Sequence, residues 1–252
     1  MSDCPPASTG RFSDRVDNYV RYRPSYAPEV LAVIESVTGL QPSATVADIG
    51  SGTGLSADLF LPAGYVVWGI EPNAAMRQAA EERLGGHPQF HSQDGTAEAI
   101  GLLDGSVDLV VAAQAFHWFQ PDAARTEFRR ILRPGGWVAI LFHSRRTDRT
   151  PFLRAYEQLL LDFGTDYRTV RHESSDVAAF FPHGCVQRVL DSEQRFDLAG
   201  LRGRILSSSY TPPVGHPRYQ PMLDAIDRLF AAHQQHGVVC IEYDTQITLG
   251  QL

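Results

Sequence analysis

An α/β fold on a doubly wound parallel sheet is predicted by three features of this 252-residue chain. Apolar runs alternate with helical patterns between residues 44 and 142, the arrangement that places helices on both faces of a parallel sheet. The first run, Val46-Ala-Asp-Ile49, drops into Gly50-Ser-Gly-Thr-Gly54, a glycine-rich turn ahead of helix-forming sequence. A second run ends in Glu71, about 20 residues beyond that turn, where a carboxylate can accept both hydroxyls of a ribose.

Residues 12–40 carry a helical pattern split by Arg23-Pro24. Strands then fall near 44–49, 65–70, 88–92, 107–113 and 136–142, with helices near 54–61, 73–84 and 121–132. Gly50 and Gly52 remove side chains where the backbone must turn and approach a ligand, and Gly54 lets the next helix pack close to its strand. The spacing is Gly-x-Gly-x-Gly, which departs from the Gly-x-Gly-x-x-Gly dinucleotide fingerprint and disfavours a nicotinamide cofactor. Pro134-Gly135-Gly136 reads as a helix stop and a turn. Right-handed crossovers make the doubly wound topology the economical one. Ligands of such sheets sit beyond the carboxyl ends of the strands, so the loops after Ile49, Ile70, His91, Ala113 and Phe142 gather on one edge. Downstream, 152–163 and 219–235 read as helices, and 186–196 and 238–249 as strands.

Composition narrows the function. Hydrophobic content of 43% and charge of 20% are globular values, and no apolar run approaches the ~18 residues that span a bilayer. The first ten residues lack a basic region and an apolar core, so the expected location is cytoplasmic. Cys4, Cys185 and Cys240 are dispersed and expected to be free thiols. A net charge of −7 argues against a general nucleic-acid surface. All 22 basic residues are arginine, which rules out a Walker lysine, a Schiff-base lysine and a lysine general base. His233 and His236 have ligand-like spacing without a third partner, and no Gly-x-Ser-x-Gly elbow is present, so neither a metal nor a covalent nucleophile is expected.

Asp48-Ile-Gly-Ser-Gly-Thr-Gly, Ile70-Glu-Pro-Asn, Gln114-Ala-Phe-His-Trp-Phe and Leu132-Arg-Pro-Gly-Gly-Trp together resemble the class I S-adenosylmethionine (SAM) dependent methyltransferases. The nearest likeness is to their small-molecule branch, which includes trans-aconitate methyltransferase-like enzymes. The resemblance is dense over 12–142 and returns at 207–248. It implies a Rossmann-like, mostly parallel sheet of seven strands, the last antiparallel. One domain would then hold a helical N-terminal cover (12–40), a SAM-binding core (41–143), a substrate lid region (144–236) and the last strand (237–250).

The resemblance also implies site residues. Tyr19 and Arg23 would come from the cover. Asp48 would orient the glycine loop or reach the amino-acid part of the cofactor, with a purely structural role open. Gly50, Ser51 and Gly52 would pass their backbone along the methionine part, and Glu71 would hold the ribose, with Pro72 and Met76 beside ribose or adenine. Gly95, Thr96 and Ala97 would border the adenine, and Gln114, Ala115 and Phe116 would line the cofactor, with Phe116 or Trp118 packing or walling the pocket. His117 could face the acceptor as a general base or serve as a structural histidine. Tyr210, in Ser208-Ser-Tyr-Thr-Pro-Pro213, is a candidate hydroxyl for orienting substrate. His143, Arg145 and Arg146 follow the fifth strand, where a substrate carboxylate or phosphate could be gripped. The Asp/Asn-Pro-Pro-aromatic signature of DNA amine methylation is missing. Methyl transfer to a small molecule is therefore the expectation, beside a SAM-consuming enzyme that does not methylate and a SAM-binding protein without catalysis.

Overall fold

The structure is a computed structural model that describes residues 21–170 and 177–252; Tyr19 and Cys4 lie outside the described residues. Seven strands, β1 (Thr45–Ile49), β2 (Val66–Ile70), β3 (Phe90–Gln93), β4 (Val107–Ala113), β5 (Leu132–Arg145), β6 (Cys185–Phe196) and β7 (Val239–Gly250), form one sheet in the order β3-β2-β1-β4-β5-β7-β6. Among the described residues the only reversed strand is β7, antiparallel to both β5 and β6. The chain order reverses between β1 and β4, which pair in parallel, and their carboxyl ends open the crevice where ligands of such sheets bind.

Side chains alternate across the pleat, so both faces are apolar and each needs a helical layer. Val46, Val67, Leu109, Val111 and Leu141 join a cluster with α1 (Pro28–Thr38), α2 (Ala57–Phe60) and α3 (Ala74–Leu84). Ala47, Val110, Ala112, Val138 and Ile140 face α4 (Pro121–Ile131), through its Ala124, Phe128 and Ile131. A third cluster unites α5 (Pro151–Phe163), α7 (Leu198–Leu206) and α8 (Tyr219–His233) with Val239, Ile241 and Tyr243 of β7, α6 being the short helix Tyr167–Val170. Among the described residues, no helix is long and apolar enough to cross a membrane.

Three boundaries differ from the pattern-based expectation. The helix expected at 54–61 shrinks to α2, because residues 52–56 form turns closed by bonds such as Gly54 N–H to Ser51 C=O, 2.8 Å. Pro134-Gly135-Gly136 does not precede the fifth strand but lies inside it. Leu132 already pairs with Val107, and the register shifts before Leu109 meets Trp137, with Gly135 at φ +82° absorbing the extra residues as a bulge. Helix α7 was not anticipated: Gly200 and Gly203 weaken its helical signal, while Asp197 caps it by accepting from Gly200 N–H at 2.7 Å.

The segment before α1 is clasped to α7. A Cβ on Gly203 would stand 2.1 Å from the Tyr22 ring, so only glycine allows that ring to lie on α7. Arg23 Nη2 donates to Ser207 C=O at 3.0 Å, just past the end of the same helix.

Candidate active site

The glycine loop leaves β1 with Gly50, Gly52 and Gly54 all at positive φ. Gly50 N–H and Ser51 N–H both donate to Ile70 C=O, at 2.8 and 3.1 Å, which pins the loop to the end of β2. A Cβ on Gly50 would come within 2.6 Å of Ala115 Cβ, so the loop and the segment after β4 touch without room for a methyl group. Glu71 then ties the second strand to the loop. One of its oxygens accepts Gly52 N–H at 2.9 Å and the other Asn73 N–H at 2.8 Å. A carboxylate has about four lone-pair sites, so two remain for hydroxyl donors. Burial raises the Glu71 pKa, against the lowering effect of those two backbone bonds.

Beyond the loop lies a cavity of about 500 Å³. The backbone of residues 50–53 forms one wall, and Gln114, His117 and Trp118 after β4 form the next. The end of β5 contributes Phe142, His143 and Arg145, while Arg23 from the segment before α1, Arg204 of α7 and Tyr210 after that helix close it. Gln114 sits at φ +58° and its Nε2 reaches His143 C=O at 3.4 Å, turning the chain sharply off the sheet. Thr53 Oγ1 is buried without a protein partner on this wall.

Of the anticipated positions, Arg23, Gly50, Ser51, Gly52, Gln114, His117, His143, Arg145 and Tyr210 line this cavity. The others stand behind or beside its wall. Asp48 lies fully buried under the loop, accepting from Ser56 Oγ, and burial lifts its pKa to about 7. Met76 is buried, with its methyl 3.9 Å from where a Gly52 Cβ would be, and Pro72 is half-buried beside Glu71. Gly95 packs against Ile70 and the Ile100 carbonyl, Thr96 is exposed, and Ala97 is core. Ala115 backs the loop, and Phe116 is buried edge-on against Phe119 and Phe180. The two aromatics thus divide the work, Phe116 packing and Trp118 walling the cavity.

His143 and Arg145, which fall inside the longer β5, and Arg146 just after it do not act as one anion grip. Arg146 turns to an ion-pair network with Asp244, Glu242 and Asp191 and does not line the cavity. His143 stacks on Tyr26 at 4.4 Å between ring centroids and its Nδ1 meets Thr245 Oγ1 at 2.9 Å. Burial and the nearby Arg204 cation push its pKa down to about 4, so at neutral pH it is an uncharged wall and not a cation. Arg145 does face the cavity, with Nη2 bonded to Glu157 and to Tyr167 Oη.

Sequence reading missed Arg204, Tyr167, Tyr243 and Tyr26, all of which line the cavity. Arg204 carried one signal: it falls three residues after Leu201 and beside Ile205, both buried on the same helix. His233 packs edge-on near Phe152, and no group of three or more His, Cys, Asp or Glu among the described residues could hold a metal ion.

Residues 47–140 match a family model described as a methyltransferase domain. An uncharacterized methyltransferase of Mycobacterium tuberculosis is 38% identical over 136 residues, covering 53% of this chain and 52% of the relative. An uncharacterized methyltransferase of Schizosaccharomyces pombe is 27% identical over 150 residues, 59% of this chain and 58% of that one. The chain thus spans a little over half the length of these curated relatives. Among solved structures, a candidate type II methyltransferase from Anaeromyxobacter dehalogenans superposes with a TM-score of 0.66 at 24% identity, covering 91% of this chain and 98% of that one. A SAM-dependent methyltransferase from Geobacter sulfurreducens, solved with S-adenosyl-L-homocysteine, matches over 100% of both chains with a TM-score of 0.50 at 17% identity. At these identities the two structures establish the shared fold.

Proposed function

We infer, from the match of residues 47–140 to a methyltransferase domain and the likeness to methyltransferase relatives, that this chain is a class I SAM-dependent methyltransferase and transfers a methyl group from SAM to an O, N or C atom of a small molecule. The observation that carries the reading is the glycine loop at the switch point of the sheet, held by Glu71 through Gly52 and opening on one cavity with His117 and Tyr210. The residues fit the cofactor: side-chain-free backbone at Gly50 and Gly52, the unpaired Thr53 hydroxyl, and a carboxylate with acceptor capacity left beside them. The sulfonium of SAM supplies an electrophilic methyl with a neutral leaving group.

The protein's own part is placement. The loop and Glu71 hold the donor, Arg23 reaches it from the cover, and the wall of His117, Trp118 and Tyr210 aligns the acceptor. Alignment of two reactants is worth about 7–11 kcal/mol in good cases. His117 accepts a proton where the acceptor atom carries one, a contribution of roughly 10²–10⁴-fold. The cavity holds donor and acceptor together, which favours a small acceptor. A cytoplasmic setting belongs to the same reading, supported by the free thiols of Cys185 and Cys240.

Calorimetric titration with SAM, S-adenosylhomocysteine and NAD tests the cofactor. Both adenosyl compounds should bind, and Glu71→Ala should weaken them about 10–100-fold, the scale of hydrogen bonds to a charged group. Binding of NAD alone, or of none of the three, refutes the reading. Product analysis completes the test, since methyl transfer leaves S-adenosylhomocysteine, whereas attack on the longer alkyl chain leaves methylthioadenosine.

A further inference from the structure

The lid end of the cavity is cationic in a protein whose net charge is −7. Arg145 and Arg204 approach it from β5 and α7, and they differ in how their charges are met. Arg145 lies over the Tyr156 ring, 4.6 Å from its centroid, and is compensated by Glu157. Its Nη1, however, is buried with no hydrogen-bond partner. Arg204 is 6% exposed, and its bonds go to neutral oxygens, Tyr243 Oη at 3.2 Å and Ser208 Oγ at 3.4 Å. Among the described residues no carboxylate pairs with it. Burial keeps Tyr156 and Tyr167 protonated, so neither phenol supplies the missing negative charge. A buried guanidinium without a counter-ion is costly, and a ligand oxyanion removes that cost.

We propose that the acceptor is a small carboxylic acid whose carboxylate docks between Arg204 and the open Nη1 of Arg145, with the Tyr210 hydroxyl beside it. The proposal rests on the methyltransferase reading and names its acceptor class. One uncompensated cation matches a monoanion better than a phosphate ester, which carries about −1.5 to −2 at neutral pH. Carboxylate oxygens that accept from two guanidinium groups have their lone pairs engaged and are poor nucleophiles. The carboxylate is therefore the handle, and the methyl goes to another atom of the acceptor.

Matched pairs test this: phenylacetate against phenylacetamide and succinate against succinamide, with phenyl phosphate as the dianionic probe. Each is titrated by ligand-observed NMR into the protein with and without S-adenosylhomocysteine. The acids should bind at least ten-fold more tightly than the amides. Arg204→Gln and Arg145→Gln should each erase that preference, Arg204→Lys should keep part of it, and calorimetric affinity for S-adenosylhomocysteine should be unchanged in Arg204→Gln. Equal binding of acids and amides, no binding of either, or preference for phenyl phosphate overturns the assignment. Recovery of the docked carboxylate as a base-labile methyl ester overturns its role as handle. If Arg204→Gln does not fold, the wild-type comparison and Arg145→Gln decide alone. Loss of S-adenosylhomocysteine binding with the acid preference intact sinks the methyltransferase reading, whereas binding without the preference sinks only the carboxylate.

Discussion

Asp48 sits in an environment that opposes its charge. Its carboxyl is fully buried, with Oδ1 unpaired and one bond from Ser56, and its pKa is raised from 3.8 to about 7. The folded state therefore binds this proton more tightly than the unfolded chain, and stability falls as pH rises from about 4 to about 7. Asp48→Asn should match the wild type below pH 4 and gain on it up to pH 7, by up to ~4 kcal/mol from the size of the shift. Urea unfolding at pH 5 and pH 8 checks this, and an equal difference at both pH values would falsify it. His117 is read by kinetics instead. His117→Ala should lower kcat about 10²–10⁴-fold for an acceptor that loses a proton, while S-adenosylhomocysteine binds as before. Intact turnover would leave the histidine a structural role.

At the scale of elements, the contact between Tyr22 and α7 makes a separable prediction. Gly203 has ordinary helical φ, so Gly203→Ala introduces no backbone strain and gains about 0.8–1 kcal/mol of helix propensity. Its new methyl nevertheless collides with the Tyr22 ring, since the Cβ position is 2.1 Å away. The expected result is a near-normal Tm together with faster tryptic cleavage after Arg21 and weaker S-adenosylhomocysteine binding; unchanged cleavage and affinity would remove the clasp from the account. This region also marks where sequence legibility ends. Strands β1, β2, β4 and β5 were readable because each is built on a largely apolar run, and the loop and Glu71 because glycine and acid spacing carries chemistry. Helix α7 was not, because its two glycines weaken the helical pattern while serving packing, Gly200 on Phe196 of β6 and Gly203 on Tyr22, far away in the chain. Arg145 and Arg146 are neighbours in sequence, yet alternation along β5 sends one to the cavity and the other to the acids of β6 and β7. Such a choice depends on which face receives the lid, and no local pattern records it.

For the whole molecule, the cavity is lined by the segment before α1, the carboxyl edge of the sheet and α7 with the residues after it, so a ligand in it should couple all three. Hydrogen exchange with added S-adenosylhomocysteine should slow at residues 50–56 and 201–208 together and leave the outer edge of β6 unchanged. Slowing confined to 50–56 would mean the lid does not respond to the cofactor. That outer edge is guarded by exposed Arg188, Asp191, Glu193 and Arg195, side chains that discourage pairing with another chain. The inner edge of the same strand, and the far edge of β5, are both satisfied by β7. During synthesis, then, two unpaired strand edges wait until residues 239–250 have left the ribosome. A chain stalled just short of them presents both at once, and such a nascent species is the one for which chaperone demand and aggregation should be greatest.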